Sequence, residues 1–251
     1  MTGFLTLLHK ELARFGKVSL QTVLAPIIAT LLYLLIFFQV LEKHIEVYPD
    51  ISYILFLIPG LVMMSILQNA FANASSSLIQ SKISGNIVFI LVSPLSYREI
   101  FFAYVLASVI RGFLVGLGVY LVALLFFSVP VSLPLWALLF AIIGSALLGA
   151  LGVIAGIWAE KIDQLAAFQN FIILPLTLLS GVFYPLHSLP LIWRQLSHFN
   201  PFFYMIDGFR YGFFGVSDVS PYISLIIVSS CFLVVSSLAI QLLRNGYKLR
   251  H

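Results

Sequence analysis

Apolar residues run almost without interruption through six stretches of this chain, and polar residues gather in the gaps between them. The stretches are about Ser19–Leu41, Ile51–Ala74, a span within Ile100–Val129, Leu135–Ala159, Leu165–Val182 and Tyr222–Leu243. A helix crosses a bilayer with roughly 20 apolar residues at about 1.5 Å each. Hydrocarbon offers the backbone no partners, so a spanning segment must satisfy its own hydrogen bonds, as a helix does. The pattern predicts an all-α, polytopic membrane protein of six transmembrane helices, forming one domain over residues 1–251.

Three segments depart from the plain apolar run. In residues 1–18, Phe4, Leu8, Leu12 and Phe15 recur at helical spacing while Lys10, Arg14 and Lys17 form another face. Apolar on one side and basic on the other describes an amphipathic helix lying on an anionic leaflet. Residues 75–99 are more polar: Ser75–Ser77, Gln80, Ser81, Lys82, Ser84 and Asn86 break the hydrophobicity, and Pro94 marks a helix end.

The third departure, Leu174–Gly215, is the one around which the rest is organised. It starts as a membrane helix, but Pro185, Pro190 and Pro201 each remove a backbone donor. It still carries Phe183, Tyr184, Trp193, Phe199, Phe203 and further aromatics, together with Arg194, Asp207 and Arg210. Short helices that dip into one membrane face and return satisfy both facts. Residues 183–215 are therefore expected to be a re-entrant segment between the fifth and sixth helices.

With 61% hydrophobic and 9% charged residues and a mean hydropathy of +1.10, this composition is not that of a soluble domain. The formal charge of +4 is small and scattered, so nucleic acid is not an expected partner. Its location is more telling. Lys10, Arg14, Lys17, Lys82, Arg98, Lys161, Arg244, Lys248 and Arg250 make nine cations on the side of the termini, against Lys43, Arg194 and Arg210 on the other. By the positive-inside rule both termini are cytoplasmic and the re-entrant segment faces outward. The lone Cys231 sits in an apolar helix and forms no intrachain disulfide. No cleavable signal peptide is expected, because the first apolar run is too long and Gln39-Val40-Leu41 is not a small-residue cleavage site.

Little in the chain suggests chemistry. The sequence has no phosphate-cradling glycine loop, no H-E-x-x-H, and its five histidines are dispersed. All nine acidic residues fall in loops or near helix ends, so no mid-span carboxylate offers an ion-coupling site. Arg111 alone is a charge inside a span. It anchors a partner helix or an anionic substrate, or it snorkels toward the cytoplasmic interface. Gly144, Gly149, Gly152 and Gly156 on the fourth helix allow another helix close approach. The chain reads as a membrane part, not an enzyme, whose energy comes from another subunit. The alternatives are an ion-coupled secondary carrier without an ATPase partner, a membrane-embedded transferase or hydrolase, and a purely structural scaffold.

Four blocks then carry a resemblance. They are Ile58-Pro59-Gly60-Leu61-Val62-Met63-Met64, Leu91-Val92-Ser93-Pro94-Leu95-Ser96, the run Pro175…Ser180-Gly181-Val182-Phe183-Tyr184-Pro185 with Leu189-Pro190 and Asn200-Pro201, and Asp207-Gly208-Phe209-Arg210. In this order and spacing they resemble the ABC-2-type permeases, the membrane subunits of bacterial ABC exporters. The resemblance implies a homodimer in the inner membrane with the path between or within the copies. It also implies a partner homodimer of ATP-binding cassette subunits, which hold ATP and Mg while this chain binds no cofactor.

By the same resemblance, Ser81–Ser96 couples to the ATPase through Ser81, Lys82, Asn86, Val88, Leu91 and Pro94. Gly181, Phe183, Tyr184, Pro185, Asn200, Pro201, Phe203 and Arg210 belong to an outward gate. The cargo is an amphiphile, drug, lipid or glycan moved outward. Many relatives carry carboxylates before the coupling proline, whereas Ile87–Val92 here is uninterrupted and apolar, implying a mostly hydrophobic docking face or a segment partly sunk in the membrane. Glu42–Asp50 is too short to reach a periplasmic adaptor.

Overall fold

A computed structural model describes residues 2–41, 46–48 and 51–248. Lys43, His44, Asp50, Arg250 and His251 lie outside the described residues, as does most of the acidic segment Glu42–Asp50.

The fold is a helical bundle. Helix α1 (Thr2–Leu41) is followed by a small antiparallel pair, β1 (Glu46–Tyr48) with β2 (Ile51–Ser52), and then by α2 (Tyr53–Ile83). A short α3 (Ile87–Val92) leads into α4 (Tyr97–Leu124) and α5 (Pro134–Trp158). Next, α6 (Ile162–Phe168), a π-helical turn (Gln169–Ile173) and α7 (Leu174–Leu178) join into one rod. A 3-10 turn (Leu186–Ser188), α8 (Leu191–His198), α9 (Pro201–Phe214) and α10 (Pro221–Asn245) complete the chain.

Among the described residues, five helices are long and apolar enough to cross a membrane: Gly3–Phe37 within α1, then α2, α4, α5 and α10. The expected fifth span is the shorter apolar helix Ile162–Leu178, interrupted by its π turn. A second difference concerns the N-terminus. The amphipathic start and the first span are one 40-residue helix, about 60 Å long at the α-helical rise. Neither proline nor a competing cap stands between Lys17 and Ser19, and Pro26 lies inside the helix without ending it.

The face that α1 turns inward is the expected one in part. Phe15 is buried, and Lys10 and Lys17 are exposed; Leu7 and Glu11 are also buried, while Phe4, Leu8 and Leu12 are half-buried.

The third difference is at the end of α2. Ser75, Ser77 and Ser81 are not loop residues but buried positions in its last turns. Ser75 satisfies its own hydroxyl there, its Oγ donating to the Phe71 carbonyl at 2.7 Å. Small side chains also let α5 approach. A Cβ on Gly152 would stand 2.6 Å from the Phe71 oxygen, and one on Gly156 would meet Leu78 Cβ at 2.7 Å. Such backbone-close packing is how helices associate where lipid supplies no hydrophobic drive. Gly152→Val is expected to cost about 1–3 kcal/mol through overpacking, read as a lower melting temperature in detergent; an unchanged melt would show that α2 and α5 have slack.

α2 is the central helix, buried along most of its length against α4, α5 and α9, whereas α1 and α10 leave most of their surfaces exposed. Both described termini lie at one end, where Lys248 Nζ meets a Glu160 carboxylate oxygen at 2.6 Å. At that end Lys82 Nζ donates to the Ile157 and Ala159 carbonyls (2.8 and 2.5 Å), capping α5 where orphan carbonyls and the helix dipole favour a cation. This is the basic end; the opposite end carries α8 and α9.

Candidate functional site

At the end opposite the termini, residues far apart in sequence meet around Arg210. Its side chain is 1% exposed on α9, its Nη2 donates to the Gly181 carbonyl at 2.9 Å, and its guanidinium carbon lies 3.7 Å from the centroid of the Phe56 ring. Arginine stacks in this way because its planar cation is weakly hydrated. Gly60 makes the space: a Cβ there would meet the Val182 oxygen at 2.9 Å and Arg210 Nη2 at 3.1 Å. Gly181 turns the chain at φ +76°, a conformation that favours glycine. Pro59-Gly60, Gly181-Val182 and Arg210 are thus one packed seam.

Other bonds pin the same segment. Asn200 caps α9, its Oδ1 accepting from the Phe202 N–H at 3.0 Å, while its Nδ2 donates to the Leu176 carbonyl at 2.6 Å. Tyr53 Oη donates to the Phe183 carbonyl at 2.8 Å, and Tyr184 Oη to the Leu178 carbonyl at 3.2 Å. The Phe183 ring packs against Tyr33 and Phe37 of α1, Phe203 lies beside Gly181, Pro185 leads into the 3-10 turn, and Pro201 opens α9.

Asp207, one turn before Arg210, accepts the Asp218 and Val219 N–H groups at 2.9 and 3.1 Å. Asp218 in turn accepts from Tyr48 Oη and the Leu186 N–H, both at 2.9 Å. Burial and the Asp218 carboxylate push the Tyr48 hydroxyl above its ordinary range, so it remains a donor. Sequence reasoning found Arg210 but not Asp218 or Tyr48, whose only signal was polarity next to a short strand and a helix start.

The aromatic load is divided. Phe202, Phe203, Phe209 and Phe213 are core residues of α9, whereas Trp193 and Phe199 on and beside α8 are exposed. The exposed aromatics therefore belong to α8 and its end, whereas α9 packs between α5, α2 and α10.

At the basic end, α3 is held between Gly85 and Ser93-Pro94. Its Ile87 and Ile90 are buried while Val88, Phe89 and Val92 are exposed, Phe89 by 77% and Val92 by 80%. Leu91 is half-buried, and Asn86 and Pro94 are exposed. Ser81 is buried and Lys82 is engaged with α5, so neither presents its polar group as part of an open face. Ser96 and Glu99 then start α4 with a capping box, Ser96 N donating to Glu99 Oε2 at 2.8 Å.

Arg111 is 8% exposed and lies among α1, α2 and α4. Its Nη1 and Nη2 reach Asn73 Oδ1 and Asn69 Oδ1 at 3.5 and 3.4 Å, and its guanidinium stands 5.7 Å from the Phe15 ring centroid. Arg14 shares that site, donating to the Asn73 carbonyl at 2.8 Å and to Asn73 Oδ1 at 3.1 Å. Arg111 thus reaches toward α1 and α2 inside the bundle, beside Arg14 and Phe15. Arg111→Ala is expected to lower the melting temperature by several degrees, because Asn69 loses a partner and the Phe15 ring its cation. An unaltered melt would mean the contact stabilises nothing.

Among the described residues no three His, Cys, Asp or Glu side chains come together as a metal would require. The ABC-2 type transporter family matches residues 2–214, which include α3, the seam around Gly60 and Gly181, and Arg210. The chain is 39% identical over 210 residues to the inner membrane transport permease YadH of Escherichia coli K12, covering 84% of this chain and 82% of that one. It is equally similar to the inner membrane transport permease YadH of Shigella flexneri, at 39% over 210 residues. The chain belongs to the ABC-2 type transporter family and is a membrane subunit of a transporter.

Proposed function

We propose that this chain is the permease of an ATP-driven exporter in the bacterial inner membrane, working as a homodimer with a homodimer of ATP-binding cassette subunits. The observation that carries the reading is α3: a six-residue helix that leaves Val88, Phe89 and Val92 exposed at the end rich in cations. An apolar patch outside the bundle, beside exposed Asn86 and Pro94, is suited to a protein cleft. On this reading ATP and Mg are bound by the partner. The basic end is cytoplasmic by the positive-inside rule, so both termini are cytoplasmic. The inner-membrane assignment draws on the name of the YadH relatives.

Six crossings result if Ile162–Leu178 spans the membrane as a short helix. The first part of α1 then lies at the inner leaflet, and residues 183–215 form the outward re-entrant segment. There the seam of Gly181, Phe183, Tyr184, Pro185, Asn200, Pro201, Phe203 and Arg210 acts as the outer gate. The exposed apolar faces of α1 and α10 suit lipid or a second copy. Amphiphilic cargo, whether drug, lipid or glycan-bearing, fits a path with so few charges.

The test is purification of the tagged chain from native membranes in mild detergent, with its partners identified and ATPase activity assayed. An ATP-binding subunit in equal ratio, hydrolysing ATP, supports the proposal. A chain that comes out alone in every detergent overturns it.

A further inference from the structure

Between α1 and the end of α2 lies a cavity of about 390 Å³, within the range of small-ligand pockets at roughly 300–1,000 Å³. Lys10, Arg14 and Lys17 line it from α1, one and two turns apart, and Gln80, Ser84 and Asn86 face them from the other wall. Among the described residues no carboxylate lines this wall of cations, hydroxyls and amides. Glu11, fully buried behind it, pairs with Lys10 at 3.2 Å and with Arg14 Nε at 3.4 Å. Arg14 and Arg111 both donate to Asn73 Oδ1, at 3.1 and 3.5 Å, so two guanidiniums share one amide oxygen. Four cations therefore meet one carboxylate, leaving an excess of three positive charges in and behind the pocket.

We propose that this cavity binds the phosphate headgroup of an anionic phospholipid. An anion there relieves the crowding of like charges, and phosphate oxygens accept from ammonium, guanidinium, hydroxyl and amide donors together. The neighbouring surface favours a lipid over free phosphate. Beyond Lys17 and on the same face, α1 exposes Leu20 and Leu24, an apolar strip along which acyl chains can lie. A charged pocket at one end of an apolar strip is the arrangement an amphiphile matches. The bound headgroup ties α1 to Ser84 and Asn86, the residues from which α3 is hung, so it would hold that short helix at a fixed place. The site depends on neither the direction of transport nor the identity of the cargo.

The test uses the full chain in nanodiscs of phosphatidylcholine, with and without dioleoylphosphatidylglycerol. Retained phosphatidylglycerol is measured by native mass spectrometry, and Lys17 acetylation by a water-soluble amine reagent. The wild-type chain is expected to keep a phosphatidylglycerol adduct, and Lys10→Gln/Lys17→Gln to hold it about tenfold or more less tightly, since each surface cation near anionic lipid contributes of order 1 kcal/mol. Phosphatidylglycerol is expected to slow Lys17 acetylation several-fold in the wild type, a readout that needs no variant, while millimolar inorganic phosphate does not. Equal retention by the variant, or no protection of Lys17, overturns the site. Protection by inorganic phosphate alone overturns the lipid assignment.

Discussion

Arg210→Met should melt about 6–12 °C below the wild-type protein. The Gly181 carbonyl loses a charged donor at 2.9 Å, the Phe56 ring loses the cation 3.7 Å from its centroid, and the pocket beside Gly60 is left badly filled. Removing a buried charge-assisted bond with its packing costs about 3 kcal/mol, and each kcal/mol shifts the melt of a 150–250-residue domain by roughly 2–4 °C. Arg210→Lys should recover little of this, because a compact ammonium cannot both lie over the ring and reach the carbonyl. Intrinsic fluorescence or a thiol-dye melt in detergent reads the effect. A wild-type melt for Arg210→Met would mean that the seam between α2, α9 and Gly181-Val182 holds without its arginine.

Val88→Asp should leave that melt within about 2 °C and yet abolish most of the coupling. Val88 is 52% exposed on α3, so a carboxylate there displaces no packed side chain of the isolated chain. Buried against a partner's apolar cleft, the same carboxylate is an unpaired charge, and losing even about 1.4 kcal/mol of binding is a tenfold loss of affinity. The readouts are the ATP-binding subunit that co-purifies and the ATP hydrolysis it carries, both expected to fall at least about tenfold. Full recovery of both would remove α3 from the docking surface. Leu91→Asp is a less clean probe, because Leu91 packs against the inner cluster around Ile87 and Ile90, and its loss would also disturb the fold.

Long apolar runs made most of the bundle legible in advance: α4, α5 and α10 begin and end within a few residues of the positions the hydropathy pattern sets. Part of what the pattern misjudges has one physical origin. Polarity does not always mean exposure to water: serine on a helix can bond back to its own turn, as Ser75 does, and so sit inside the bundle while adding polarity to the sequence. Glu11 likewise appears as one more surface charge until its Lys10 and Arg14 partners are seen to enclose it.

The candidate site was partly legible for a related reason. Glycine and proline mark backbone that must do something unusual, and Gly60, Gly181, Pro185 and Pro201 do stand around the Arg210 seam. The contacts that close it, Tyr48 with Asp218 and Tyr53 with the Phe183 carbonyl, join residues 170 and 130 positions apart, and no local pattern encodes such a separation.

Because α2 runs unbroken from the Arg210 seat to the root of α3, the two ends of the molecule share one rod. From Gly60 to Ile83 it measures about 35 Å at the helical rise. The backbone of α5 holds it along that length, Gly144 against Met63, Gly152 against Phe71 and Gly156 against Leu78. A rod clasped at several heights has no single pivot. It can shift only together with α5, so a displacement at the short helix and one at the arginine belong to the movement of the same helix pair.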